Sequence, residues 1–160
     1  MFRFALILAF FTAASAPTLS AQGGGARTPT IPPTTPRTIE LQASDNMRFT
    51  PDRITARPGE SLHVVLKDVG TAPKAAVAHN FVLLKKGGDA KGFADRSAGA
   101  RDSDFISPAL KDQVLAATKL VGPGETTDIT FQAPAAGSYT FICSFPGHYA
   151  LGMKGTLVVK

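Results

Sequence analysis

Seven short runs, each closed off by turn residues, limit what this chain can fold into more than any other feature. They lie at residues 38–42, 53–56, 61–67, 80–84, 126–131, 138–142 and 155–159, and are rich in alternating, β-branched or aromatic residues. Period-two alternation sends one set of side chains inward, and β-branched and aromatic residues suit a pleated backbone. Turn residues separate the runs: Pro58, Gly59 and Glu60; Gly122, Pro123, Gly124 and Glu125; and residues 134–137. Short strands at this spacing predict an all-β chain folded as an antiparallel β-sandwich. One stretch breaks the rhythm. Residues 86–116 carry Gly87, Gly88, Gly92 and Gly99, then Ser107 and Pro108. A structureless loop of that length is uncommon in a compact domain. A short helix around 90–98, or around 107–116, is therefore expected within an insertion spanning about 88–116.

The N-terminal part reads differently. Arg3, the apolar run 4–11 and the small residues after it have the pattern of a secretory signal. The run is far short of the roughly 20 residues a membrane span needs, so no transmembrane span is expected in the mature chain. Leu19 and Ala21 favour cleavage after Ala21, which makes residues 1–21 the signal peptide. Residues 22–37 are rich in Gly, Pro and Thr, with little to bury, and read as an extended linker. The folded domain is then expected at 38–160, long enough for one proper core. The formal charge is +5, but the basic residues are scattered and the densest groups are pairs such as Lys85 and Lys86. A nucleic-acid binder concentrates its charge in a stripe, so nucleic acid is not an expected partner.

The chain has one cysteine. An exported domain with a single thiol has no internal disulfide, and the thiol needs a reason. Its neighbours supply one. Cys143 ends a strand, Pro146 and Gly147 make a turn, His148 follows, and Met153 stands where the next strand begins. One loop thus carries a thiolate, an imidazole and a thioether. A trigonal set of one thiolate and two imidazoles, with a weak axial thioether, is the blue-copper arrangement. The second imidazole must come from elsewhere. Of the three histidines, His63 lies mid-strand and reads as an ordinary strand side chain. His79 lies at the head of a strand, from which it can approach the loop. Met47, near the first strand, reads as core or edge packing. The expected metal ligands are His79, Cys143, His148 and Met153, holding one copper ion.

Other chemistries fit less well. Structural zinc wants more thiolates or a closed Cys/His set, and a thioether is a poor zinc ligand. A cysteine protease needs an activated Cys in a cleft, whereas Cys143 ends an apolar strand. A copper-delivery protein is the remaining rival, although open delivery sites often lack a thiolate. A larger copper oxidase would need more histidines. The expectation is an electron carrier rather than an enzyme, cycling Cu(II) and Cu(I).

At these residues the chain resembles the azurin and auracyanin group of cupredoxins. The likeness rests on AHNFVL (residues 78–83), TKLVG (118–122), CSFPGH (143–148) and MKGTL (153–157), and extends over roughly 38–160. The resemblance implies a Greek-key sandwich, a type 1 copper, and electron transfer in the periplasm or another extracytoplasmic compartment. It also implies a distant backbone carbonyl from Ala78 toward the metal. Asn80 would tie the two ligand segments together, with the backbone N–H groups of Asn80 and Phe145 facing the thiolate. Redox proteins such as c-type cytochromes, or other membrane or periplasmic donors and acceptors, would dock at the apolar patch around His148. Two departures stand out. Four residues, 149–152, separate His148 from Met153 where azurins have three, which is similar to auracyanin and plastocyanin. The azurin disulfide has no cysteines here.

Overall fold

The computed structural model describes residues 35–160. The expected signal at 1–21, and the expected linker as far as residue 34, lie outside the described residues. The strands are β1 (Arg37–Ser44), β2 (Arg48–Thr50), β3 (Arg53–Ala56), β4 (Ser61–Asp68), β5 (Val82–Leu84), β6 (Val114–Ala117), β7 (Thr126–Gln132), β8 (Gly137–Ile142) and β9 (Lys154–Val159). They form two sheets, ordered β2-β1-β4-β7 and β3-β9-β8-β5-β6. The chain passes repeatedly from one sheet to the other, giving the expected Greek-key sandwich. The sheets are not wholly antiparallel, however: β1 pairs with β4, and β3 with β9, in parallel. Both pairs join strands whose connection runs through the opposite sheet. Alternation reports which side chains face inward and nothing about strand direction, so this pairing was invisible in the sequence.

Register lines up the inward rows. Ile39 stands opposite Val64 and Leu41 opposite Leu66, while Val64 and Leu62 face Ile129 and Phe131. Leu41, Leu62, Val64, Leu66, Phe81 and Phe141 are all fully buried. The Phe141 ring packs against Phe81 at 5.2 Å and Phe49 at 5.4 Å between centroids. Each such residue contributes roughly 1.5–3 kcal/mol relative to exposure.

The insertion carries helix at both expected places. α1 (Ala90–Ser97) starts at Asp89, whose carboxylate accepts from the Gly92 N–H at 2.9 Å. A 3-10 turn at Arg101–Ser103 and a longer one at Pro108–Gln113 follow. The second helix stops at Gln113 because residues 114–117 pair with β5 as an edge strand. Phe93 and Leu110 pack with Val82, Leu84 and Ile142 in a second cluster, while Phe81, Leu83 and Phe141 face the main core. β5 is thus buried on both faces, which is why it reads as an unbroken apolar run. The segments before β5, after β8 and before β9 meet at one end of the sandwich.

Candidate metal centre

Cys143 follows the last residue of β8, and its backbone N–H donates to the Met153 carbonyl at 3.1 Å. That bond closes the loop 143–153 at its base. Inside it, Met153 N–H donates to His148 O at 2.9 Å, His148 N–H to Phe145 O at 3.1 Å and Leu151 N–H to Gly147 O at 3.1 Å. Gly152 has φ +100, and a Cβ there would come within 2.6 Å of the Arg48 guanidinium. Only glycine fits that turn without strain. Arg48 uses the space to donate to the Leu151 carbonyl at 2.5 Å and the Met47 carbonyl at 2.8 Å. β2 therefore clamps the far side of the loop.

His79 is held by an antiparallel bridge to Val121, with both backbone bonds at 2.8 Å. Its neighbour Asn80 joins the two segments. The Asn80 amide accepts from Ser144 N–H at 2.9 Å and donates to Ser144 Oγ at 2.9 Å and to the Asp104 carbonyl at 2.8 Å. The bond to Asp104 brings the insertion into the support of the site. Phe105 follows with its ring on Phe145 at 5.0 Å, and Phe145 in turn lies 4.6 Å from the His148 ring.

The outcome is a buried cluster. One donor atom from each of His79, Cys143 and His148 lies within 4.8 Å of the others. Cys143 Sγ is 3.4 Å from His148 Nδ1 and 3.9 Å from the Ala78 carbonyl oxygen. Cys143, His79 and Met153 are fully buried, and His148 is 3 % exposed. Burial pushes the Cys143 thiol up to about 12, although the backbone N–H groups of Asn80 and Phe145 pull the other way. Burial pulls His148 down to about 4, and the nearby His79 adds to that. His79 is also lowered by burial, against the opposing pull of Asp68 and Asp45. Without a cation, burial thus favours the neutral thiol and the neutral imidazoles.

Its unsatisfied atoms test whether a metal fits. Among the described residues, the buried side-chain nitrogens and oxygens lacking any partner are His79 Nδ1, His79 Nε2 and Asp68 Oδ2. An unpaired buried polar group costs about 1–3 kcal/mol, so orphans gathered at one place point to a missing electrophile. A thiol, two imidazoles and a buried thioether form a donor set for copper rather than for a hard cation.

Two side chains set aside in the sequence lie elsewhere. His63, on β4, pairs with Asp128 on β7 at 3.0 Å, and Met47 packs half-buried against the main core. Asp68, Arg48 and Asp104 were missed. Asp68 had a signal: it takes the next inward position after Leu62, Val64 and Leu66, where an acid is out of place. The roles of Arg48 and Asp104 depend on contacts that only the folded chain makes.

Comparison with known proteins agrees. The family model for copper binding proteins of the plastocyanin/azurin family matches residues 38–160. The chain belongs to that family. This cupredoxin is 37 % identical over 126 residues to azurin from Pseudomonas chlororaphis, covering 76 % of this chain and 97 % of the azurin. It is 36 % identical over 125 residues to auracyanin-B from Chloroflexus aurantiacus, covering 77 % of this chain but 52 % of that protein. The match thus spans about half the length of auracyanin-B. A solved structure of auracyanin A, a "blue" copper protein from Chloroflexus aurantiacus, superposes with a TM-score of 0.70 at 34 % identity. That match covers 79 % of this chain and 100 % of auracyanin A. No helix among the described residues of this cupredoxin is long and apolar enough to cross a membrane.

Proposed function

We propose that this cupredoxin is an exported type 1 copper protein that shuttles single electrons between redox partners and is not an enzyme. The observation that carries the reading is the buried His79, Cys143 and His148 cluster, with donor atoms within 4.8 Å of one another and Met153 at the closing end of the same loop. Copper would be held by His79, Cys143 and His148, with the Met153 thioether as a weaker ligand and the Ala78 carbonyl as a more distant contact. Copper bound there supplies one-electron chemistry between Cu(II) and Cu(I). The residues do the rest. Cys143 yields its proton to become a thiolate ligand, and the backbone N–H groups of Asn80 and Phe145 stabilise its charge. The hydrogen-bonded loop and the Asn80 tie keep the donors in place, so little rearrangement accompanies a change of charge.

Electrons leave or enter through His148. It is nearly covered, at 3 % exposure, but Pro146, Gly147, Ala150 and Leu151 around it are exposed. Leu151, at 59 % exposure, is the most prominent apolar side chain of that rim. The assigned partners are c-type cytochromes or other membrane or periplasmic donors and acceptors, in small and transient encounters. Reading residues 1–21 as signal, 22–37 as linker and 38–160 as the copper domain supports work in the periplasm or outside the cytoplasm. Stopped-flow mixing of the copper-loaded protein with a reduced c-type cytochrome tests the carrier role. Oxidation of the cytochrome should match loss of protein colour one for one. Leu151→Asp should slow the exchange about tenfold, the equivalent of about 1.4 kcal/mol at a docking centre, with the spectrum unchanged. A coloured protein that exchanges no electrons would point instead to copper delivery.

A further inference from the structure

Asp68 is the last residue of β4 and is 1 % exposed. Its backbone is pinned on both sides: its N–H donates to Glu125 O at 3.1 Å, and its carbonyl accepts from Gly124 N–H at 3.0 Å. Oδ1 accepts from Gly70 N–H at 2.7 Å. The turn is tight: a Cβ at Gly70 would push against the Asp45 carboxylate and stand 3.0 Å from Asp68 Oδ1. Oδ2 has no partner and lies 3.9 Å from His79 Nε2, which has none either. The distance is too long for a hydrogen bond. Both groups are nonetheless fixed from behind, and each faces the other. Asp45, the other nearby acid, is taken up by Thr71 N–H at 2.8 Å, Thr71 Oγ1 at 3.0 Å and Ala72 N–H.

A neutral imidazole has one N–H that needs an acceptor and one bare nitrogen that needs a donor or a metal. Both nitrogens of His79 are orphaned, and the acid stands on the Nε2 side. We propose that Asp68 is a positioning residue of the copper site: its carboxylate accepts the Nε2–H of His79, so the ring meets the metal through Nδ1, and its buried charge favours Cu(II) over Cu(I). One metal and one hydrogen bond would then satisfy all three orphaned atoms. Ligating histidines commonly pass their second N–H to a carboxylate, which fixes the tautomer and raises ligand basicity. A negative charge in a water-excluded site also interacts more strongly with the higher metal charge. The proposal rests on the blue-copper reading and adds to it a residue that touches no metal.

The experiment uses the full chain loaded with Cu(II) or Zn(II), as wild type, Asp68→Asn and Asp68→Ala. The Asn variant keeps an acceptor oxygen and loses the charge; the Ala variant loses both. In long-range 1H–15N spectra of the Zn(II) form, wild-type His79 should carry a protected Nε2–H with Nδ1 on the metal. Asp68→Ala should speed exchange of that proton about tenfold or more and weaken Cu(II) binding about tenfold. Asp68→Asn should keep the protection and raise the reduction potential. A purely structural Asp68 would lower stability without moving the potential or the His79 N–H. The inference falls if His79 binds through Nε2, or if neither variant alters N–H exchange or potential while the blue band persists. A wild type without the thiolate-to-Cu(II) band would overturn the blue-copper reading and this inference with it. If Asp68→Ala does not fold, the wild type and Asp68→Asn still decide.

Discussion

Asn80 shows how much one side chain can hold. Its amide spans from the His79 segment to Ser144 beside Cys143 and to the Asp104 carbonyl of the insertion. Asn80→Ala would strand the buried Ser144 N–H, and an unsatisfied buried group costs about 1–3 kcal/mol. Urea denaturation of the metal-free protein should show a loss of that size, separating support of the loop from metal binding. His63→Ala should leave the visible spectrum intact and change stability by no more than about 1 kcal/mol, since its pair with Asp128 is partly exposed. At this scale the sequence was most informative where chemistry is rare. A single cysteine, with a histidine and a methionine at strand-to-strand loop spacing, leaves few readings. His79 followed because His63 sits mid-strand. Asp68 was missed because the run was read only to Lys67, one residue short of the acid at the next inward position.

The elements were legible in proportion to how much of each strand faces the core. β1, β3, β4, β7, β8 and β9 all coincide with runs whose apolar residues mark an inward face. β2 and β6 are edge strands of three and four residues; neither stands out as a bounded run, and they form because a neighbouring edge is open. Residues 107–116 read as helix, but the last three, 114–116, belong to a strand that adds to β5 instead. Packing between elements sets two expectations. Phe93 anchors α1 and is fully buried, so Phe93→Ala should cost about 3–5 kcal/mol in chemical denaturation and loosen amide protection across α1 first. Gly155 on β9 lies against the Phe141 ring and the Asp52 carbonyl, with no room for a Cβ. Gly155→Ala should therefore destabilise by about 1–3 kcal/mol or more, and a denaturation midpoint unchanged from wild type would contradict the packing described.

Across the whole molecule, the end opposite the metal centre is tied by charge. Arg37 at the start of β1 donates to Glu60 at 2.5 Å and to the Thr55 carbonyl at 2.6 Å. The Arg37 guanidinium and the Arg57 N–H hold Glu60 below the usual carboxylate range. Because the folded value is depressed, this contribution is present above the ordinary glutamate range and is lost as pH falls through the folded value. Wild type and Glu60→Gln should thus differ most in stability at neutral pH and converge in acid, a trend that thermal melts across pH can follow. The metal centre at the other end is the central claim, and one absorption spectrum tests it most directly. Wild-type protein loaded with Cu(II) should show an intense thiolate-to-Cu(II) band, blue or green, that reductant bleaches and oxidant restores, and Cys143→Ser should lack it. A wild-type Cu(II) complex without that band would contradict the account.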